Sequence, residues 1–272
     1  MIIVKLMGGM GNQMFQYAFG RSLSLNYNIP LKLDLSFLKR RDMGPNFTYR
    51  NYDLDIFNIN EDFQHNGYMA VVNEPHFNYS EALIKKIDEV YKSNKISFLI
   101  DGYWQSPKYF HGYDHQIRND FTFKQPINDS EVSSNIMSSN SVMINIRRTD
   151  YLNTNYHGVL DMTYINSGIN IINQKIENPQ YFIFSDDIEW CRNNIHLDNM
   201  TIVDHSHKGD RFSNYLQLMI SCKHFIIPNS TFAWWAAWLN PSKNKVVISP
   251  KDWFVDKNTN TTDLIPSNWI RI

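Results

Sequence analysis

Residues 1–36, MIIVKLMGGMGNQMFQYAFGRSLSLNYNIPLKLDLS, decide the reading of the fold. An apolar run from Ile2 to Leu6 meets a glycine cluster, Gly8, Gly9 and Gly11. Phe15, Ala18, Phe19 and Leu23 then recur at helical spacing, which gives that stretch one buried face. A second apolar run ends at Asp34. The order is strand, tight turn, helix, strand, the unit from which parallel sheets are built. In such sheets ligands gather just past the carboxyl ends of the strands, so the glycine turn is a first candidate site. Read as the dinucleotide pattern G-x-G-x-x-G, it puts Met14 where the third glycine belongs, although Asp34 lies where a ribose-binding acid would sit. Read otherwise, the glycines let backbone N–H groups approach a ligand. Asn12 and Gln13 then add amide groups suited to sugar hydroxyls.

The alternation resumes further along. Residues 36–80 read as irregular and aromatic-rich, with turn signals at DMGPN (42–46). Residues 79–94 read as an amphipathic helix and 95–106 as a strand ending in Asp101-Gly102. Residues 124–140 are poor in large apolar side chains, and a domain junction is expected there. This gives one α/β domain over 1–135 and a second over 136–272, with the last residues packing back on the first. In the second half, strands are expected at 141–148, 180–187, 200–206, 223–230 and 245–250. Helices are expected between them at 162–175, 188–194, 211–222 and 231–240. The fold class is α/β, with parallel sheets in two domains and a cleft between them as the natural place for a nucleotide-carrying substrate.

Composition narrows the function. The 272 residues are 43% hydrophobic and 14% aromatic, enough for substantial cores. The formal net charge of −1 supplies no global field for nucleic acid, so an anion must be held by local geometry. The apolar run at the N-terminus is too short for a secretory signal core, and no stretch reaches the ~18–20 apolar residues of a membrane span. Cys191 and Cys222 are too few for a disulfide framework.

Three strand ends in the second half carry chemistry. NIRRTDY (145–151) sets Arg147 and Arg148 at the end of an apolar strand. The planar guanidinium bonds phosphate bidentately and keeps its charge. Neighbours on a strand point to opposite faces, so one arginine is expected to face a ligand while the other braces the loop, with Asp150 as a candidate partner. FIIPNSTFAWWAAWLN (225–240) places Asn229 or Ser230 as the N-cap of a helix. Its unpaired N–H groups and positive dipole end form an anion site without lysine or metal, and the Ser230 and Thr231 hydroxyls stand beside it. Trp234, Trp235 and Trp238 lie one to two turns further in and are read as core. FSDD (184–187) ends in Asp186 and Asp187, one suited to a base edge and the other to a helix cap. DHSHKGD (204–210) holds metal-ligand residue types without a metal spacing.

Taken together, GGMGNQMFQYAFG (8–20), NIRRTDY and SCKHFIIPNSTFAWWAAWLNP (221–241), supported by FSDDIEWC and SPKDWF, resemble the bacterial α-1,2-fucosyltransferases of glycosyltransferase family 11. The matches run in order from residue 3 to about 254. The resemblance implies a GT-B fold of two Rossmann-like domains. It implies metal-independent, inverting transfer of L-fucose from GDP-β-L-fucose to a sugar hydroxyl, usually the 2-OH of a galactose, with GDP-fucose as substrate and no cofactor. Arg147 takes the position associated with the donor pyrophosphate and is expected to be catalytic with Asp150, while the general base stays open among the strand-end carboxylates Asp150, Asp34 and Asp101. The resemblance assigns donor binding to Gly9, Gly11, Asn12, Gln13, Asn145, Arg147, Arg148, Asp186, Asp187, Asn229, Ser230, Thr231 and Phe232. The family's arginine block usually opens with histidine, and Asn145 stands there instead, able to hydrogen-bond but not to carry a proton. The implied acceptor is a galactose-containing oligosaccharide or lipid-linked glycan. The implied place is the cytoplasm, with peripheral contact at the inner membrane face. Two rivals are an NAD(P)-dependent oxidoreductase using the glycine turn and Asp34, and a non-catalytic nucleotide-sugar-binding protein.

Overall fold

The computed structural model describes residues 1–44, 47–127, 130–153 and 156–272. Pro45 and Asn46 of the DMGPN turn, and Asn128 and Asp129 of the 124–140 stretch, lie outside them. The chain forms two compact units, Met1–Lys124 with Asn260–Leu264, and Gln125–Thr259 with Ile265–Ile272. It passes from the first to the second ahead of the helix that contains residues 135 and 136.

The first unit is built from β1 (Ile2–Lys5), α1 (Met10–Tyr27), β2 (Leu31–Asp34), α2 (Ser36–Lys39), β3 (Ala70–Asn73), α3 (Glu81–Asn94), β4 (Phe98–Asp101) and α4 (Asp114–Asp120). Its sheet runs β2-β1-β4-β3, every pair parallel. β1 sits inside it, and Ile2, Ile3 and Val4 are buried as a two-sided strand requires. α1 covers this strand closely at Gly20, where a Cβ would stand 2.0 Å from Val4 Cγ2. The close helix–strand approach that a dinucleotide turn obtains from its third glycine is obtained here one and a half turns later. α1 ends at Asn28 in the left-handed region, with φ +51. α3 starts at Ser80, whose hydroxyl accepts the Leu83 N–H at 3.2 Å. Lys108 and Asp263 form an ion pair, and Ser106 donates to the Asp263 carbonyl, so 260–264 belong with this unit.

The second unit follows with α5 (Ser130–Ser138), β5 (Asn140–Ile146), α6 (Met162–Lys175), β6 (Pro179–Ser185), α7 (Ile188–Asn194), β7 (Met200–Val203), α8 (Ser213–Ser221), β8 (His224–Ile226), α9 (Thr231–Leu239), β9 (Val247–Ser249) and β10 (Ile270–Arg271). Its sheet runs β10-β9-β8-β5-β6-β7, again with every pair parallel. α9 is apolar all round because it is buried all round, with Trp234 and Trp235 fully enclosed and Trp238 nearly so. The three tryptophans are core, as expected. Cys191 and Cys222 are buried free thiols.

α2, β3, α4, α5 and β10 were not legible as elements. β3 buries only Val72 of its four residues, and α5 is mostly polar. A short element with little buried surface leaves no periodic run to read. The C-terminus also differs from expectation in part: the return to the first unit is made by Asn260–Leu264, while the final strand pairs with β9 in the second.

In the first sheet the steps from β1 to β2 and from β3 to β4 run the same way. The second sheet reverses its strand order between β5 and β8, with β6 and β7 following on one side and β9 and β10 on the other. Such a switch point opens a crevice at the carboxyl ends of the two strands. The glycine turn follows β1, the arginine block follows β5, and residues 227–230 follow β8.

Candidate functional site

At the second unit's switch point the two arginines diverge. The Arg147 guanidinium donates to Asp150 at 2.7 Å, lies 3.2 Å from Asp186, and its central carbon is 5.6 Å from the centre of the Tyr151 ring. Arg148 turns the other way. Its guanidinium stacks over Trp190 at 4.2 Å and reaches Asp187 at 3.4 Å. One arginine therefore braces a neighbouring helix, but the bracing partners are Asp187 and Trp190 rather than Asp150.

The aspartate pair is spent on the protein. Asp186 accepts the Arg148 N–H at 2.9 Å, the Thr149 N–H at 3.2 Å and the Thr149 hydroxyl at 2.6 Å, besides its ion pair with Arg147. It holds the backbone turn after β5 in place, which leaves little of it for a base edge. Asp187 caps α7 by accepting the Trp190 N–H at 3.1 Å. Asn145 donates to the Phe184 carbonyl across the sheet at 3.1 Å.

On the other side of the switch point, Ser230 is the N-cap of α9. Its side chain makes no capping hydrogen bond, and its carbonyl accepts the Trp234 N–H at 2.9 Å. The first turn, with half-buried Thr231 and Phe232, has no acidic residue. The N–H groups there are uncapped by any Ser230 oxygen, the arrangement that suits an anion. Asn229 has another task. It is 2% exposed, and its amide donates to the carbonyls of His157 (2.6 Å), Gly158 (3.3 Å) and Trp253 (3.1 Å). Its amide nitrogen clamps two loops, and its Oδ1 is buried without a hydrogen-bond partner. The Asn229 carbonyl accepts the Tyr151 hydroxyl at 3.0 Å, so the arginine block and the helix start are tied together.

His157, which the motifs did not single out, stands in this cluster. Its ring stacks on Tyr151 at 4.5 Å with an interplanar angle of 9°. Burial holds its imidazole below the ordinary range; Asp150 opposes that shift and Arg147 adds to it. A lone loop histidine carries no pattern, so only its place could reveal it.

The glycine turn after β1 in the first unit is arranged differently. Gly8 has φ +75, and a Cβ there would lie 2.5 Å from Asn12 Nδ2, so the turn demands glycine. Gly9 has ordinary extended dihedrals and nothing within 4 Å of a Cβ position. Its missing side chain leaves open space at the N-terminus of α1, and Gly11 lies buried in the first turn. Asn12 accepts from the Gln105 amide at 2.9 Å. Gln13 is fully buried, donates both amide hydrogens to the Gly8 and Asn51 carbonyls at 2.9 and 2.8 Å, and accepts the Asp53 N–H at 3.0 Å.

Asp34, the acid a dinucleotide would need, is 4% exposed and accepts the Ser36 N–H and hydroxyl at the start of α2. Asp101 pairs with Lys5 at 2.7 Å. Another strand-end carboxylate, Glu74, was missed because it ends the illegible β3. It accepts the N–H groups of Tyr103 and Trp104 at 2.7 and 3.0 Å, and burial pushes its carboxyl up to about 7. Among the described residues no group of three His, Cys, Asp or Glu side chains is placed to hold a metal ion.

With this geometry in place the comparison with known proteins is decisive. The sequence profile of glycosyl transferase family 11 matches residues 1–272. The chain belongs to glycosyl transferase family 11. An α-1,2-colitosyltransferase from Escherichia coli is 33% identical over 100% of this chain and 98% of its own length. A galactoside 2-α-L-fucosyltransferase (SEC1) from Bos taurus is 27% identical over 52% of this chain and 41% of its own. The crystal structure of the fucosyltransferase NodZ from Bradyrhizobium superposes with a TM-score of 0.51 at 13% identity, covering 88% of this chain and 92% of NodZ. That likeness is one of fold. This family 11 chain is accordingly an α/β glycosyltransferase of GT-B type, with parallel sheets in two units.

Proposed function

We propose that this enzyme transfers L-fucose from GDP-β-L-fucose to the 2-OH of a galactose in an oligosaccharide, with inversion, in an α-1,2 linkage. The observation that carries the reading is the second unit's switch point. A guanidinium at the end of β5 and a helix start after β8 whose N-cap side chain makes no capping bond are tied together there by the Tyr151 hydroxyl, in a family 11 chain. In the reaction, the acceptor oxygen attacks the anomeric carbon from the face opposite GDP. The bond to the diphosphate breaks, its electron pair goes to the β-phosphate oxygen, and the acceptor proton passes to solvent. Negative charge grows on the diphosphate, and preorganised donors stabilise it. We assign that task to Arg147, the Ser230 and Thr231 hydroxyls and the N–H groups around Phe232. Asp150 orients Arg147. Arg148, Asp186 and Asp187 shape the donor loop. The second unit holds the GDP-sugar and the first, with Gly9 and Asn12, meets the acceptor.

We further propose that no metal is needed and that the acceptor is a galactose-containing, lipid-linked glycan met at the cytoplasmic membrane face. Among the described residues no helix is long and apolar enough to cross a membrane.

The identity to the colitosyltransferase favours a second reading of the donor. Colitose is L-fucose without its 3-hydroxyl. A site that hydrogen-bonds a hydroxyl rejects the analogue lacking it by ~10⁴–10⁵, whereas a site that merely accommodates it discriminates weakly. The test is transfer from GDP-fucose and from GDP-colitose to β-galactosides in EDTA, with the linkage read by NMR. An α-1,2-fucosyl galactoside is expected. Transfer from GDP-colitose alone replaces the donor. Absence of transfer together with absence of GDP binding refutes the proposal.

A further inference from the structure

His157 combines three features that packing alone does not require. First, its ring is locked. It is stacked on Tyr151, edge-on to Tyr156 at 5.0 Å and tilted against Phe254 at 5.6 Å. Its carbonyl is clamped by Asn229, and the next residue, Gly158, has φ +70, with Val255 Cγ2 3.0 Å from a Cβ position. Second, Nδ1 is buried without a hydrogen-bond partner, although the ring as a whole is only half-buried. Third, the Tyr151 ring that carries His157 also carries the Arg147 guanidinium, and the residue that clamps His157 immediately precedes the N-cap of α9.

These features set the state of the imidazole. A proton on Nδ1 would be a buried N–H with no acceptor, which is expensive. The neutral ring with its hydrogen on Nε2 avoids the buried N–H and leaves Nδ1 as an unpartnered acceptor instead. Of the charges acting on the ring, Asp150 favours the imidazolium and Arg147 disfavours it, so they oppose one another. The ring is then a rigid, uncharged donor with one N–H directed away from its buried edge.

We propose that His157 donates its Nε2–H to the diphosphate of the donor, as a neutral partner of Arg147 and the α9 start. The assignment rests on the GDP-sugar reading above and adds to it a binding residue outside the arginine and NST motifs. Its hydrogen bond strengthens as the leaving diphosphate gains charge, and it transfers no proton.

The test is GDP affinity by calorimetry for the wild type, His157→Phe, His157→Gln and His157→Asn, each checked for cooperative unfolding. Phenylalanine keeps the stack and removes the donor. Glutamine places an amide N–H near the position of Nε2, and asparagine does not reach it. A hydrogen bond to a charged acceptor corresponds to about a 10- to 100-fold loss for His157→Phe. Recovery to within about threefold is expected for His157→Gln, and none for His157→Asn. Wild-type affinity in a folded His157→Phe overturns the proposal and leaves the GDP-sugar reading intact. A wild type that does not bind GDP overturns both. Should His157→Phe not fold, ring ¹⁵N shifts of the wild type decide. A neutral Nε2–H ring whose proton resonance moves downfield with GDP supports the proposal, and a charged or unmoved ring overturns it.

Discussion

Replacing Arg147 by alanine tests the proposed donor site most directly. The side chain is held by two carboxylates, Asp150 at 2.7 Å and Asp186 at 3.2 Å, and can release one to a phosphate while keeping the other. Its loss acts twice. One preorganised donor disappears, typically costing on the order of 10²–10³ in kcat. Asp150 and Asp186, both partly shielded from solvent, then face the diphosphate without their cation. A carboxylate ~5 Å from one phosphate charge repels it by roughly 3 kcal/mol at an effective dielectric of about 20. Arg147→Ala should therefore lose at least about 100-fold in kcat and bind GDP more weakly as well. Adding Asp150→Asn removes one repelling charge. The double variant should recover about 100-fold in GDP affinity over Arg147→Ala, without recovering kcat. The assays are GDP release under saturating donor and calorimetric GDP binding. Activity of Arg147→Ala within about tenfold of wild type removes Arg147 from the mechanism. A double variant no better than the single one refutes the electrostatic part.

Other outcomes follow from the same geometry. Gly9→Ala should leave the thermal midpoint unchanged and raise the substrate KM, because a Cβ there meets only open space; Gly8→Ala should destabilise by about 1–3 kcal/mol in urea denaturation, because φ is +75. Asn229→Ala strips the donor from the carbonyls of His157, Gly158 and Trp253 and should cost about 3 kcal/mol or more, read as a lowered Tm. Burial raises the Glu74 carboxyl from 4.5 to about 7, so the folded state binds that proton more tightly than the unfolded chain. This contribution is complete below about pH 4.5 and is lost as the pH rises through 7, roughly 3 kcal/mol in all. Urea midpoints of Glu74→Gln should vary less between pH 5 and 8 than those of the wild type, and an unchanged slope would contradict the assignment.

The sequence by itself determined the alternating architecture and the addresses of the motifs. Runs such as Ile2–Leu6 and residues 141–146 announce buried strands because a two-sided strand must be apolar along its length. The glycines, the arginine block and the NST turn announce strand ends because their chemistry is local. What each side chain does there depended on partners far along the chain. Gln13 resembles a ligand contact until Asn51 and Asp53 arrive to occupy its amide. Asp186 resembles a base-edge acceptor until the backbone after β5, 38 residues earlier, takes its oxygens. Asn229 belongs to a phosphate motif and spends its amide on carbonyls 71, 72 and 24 residues away. His157 gave no signal in sequence, because a single histidine has no period and no spacing. It became visible only when folding put its ring on Tyr151 and left Nδ1 buried without a partner. Hydrogen-bond capacity is finite, and only the tertiary structure decides whether the protein or a ligand uses it.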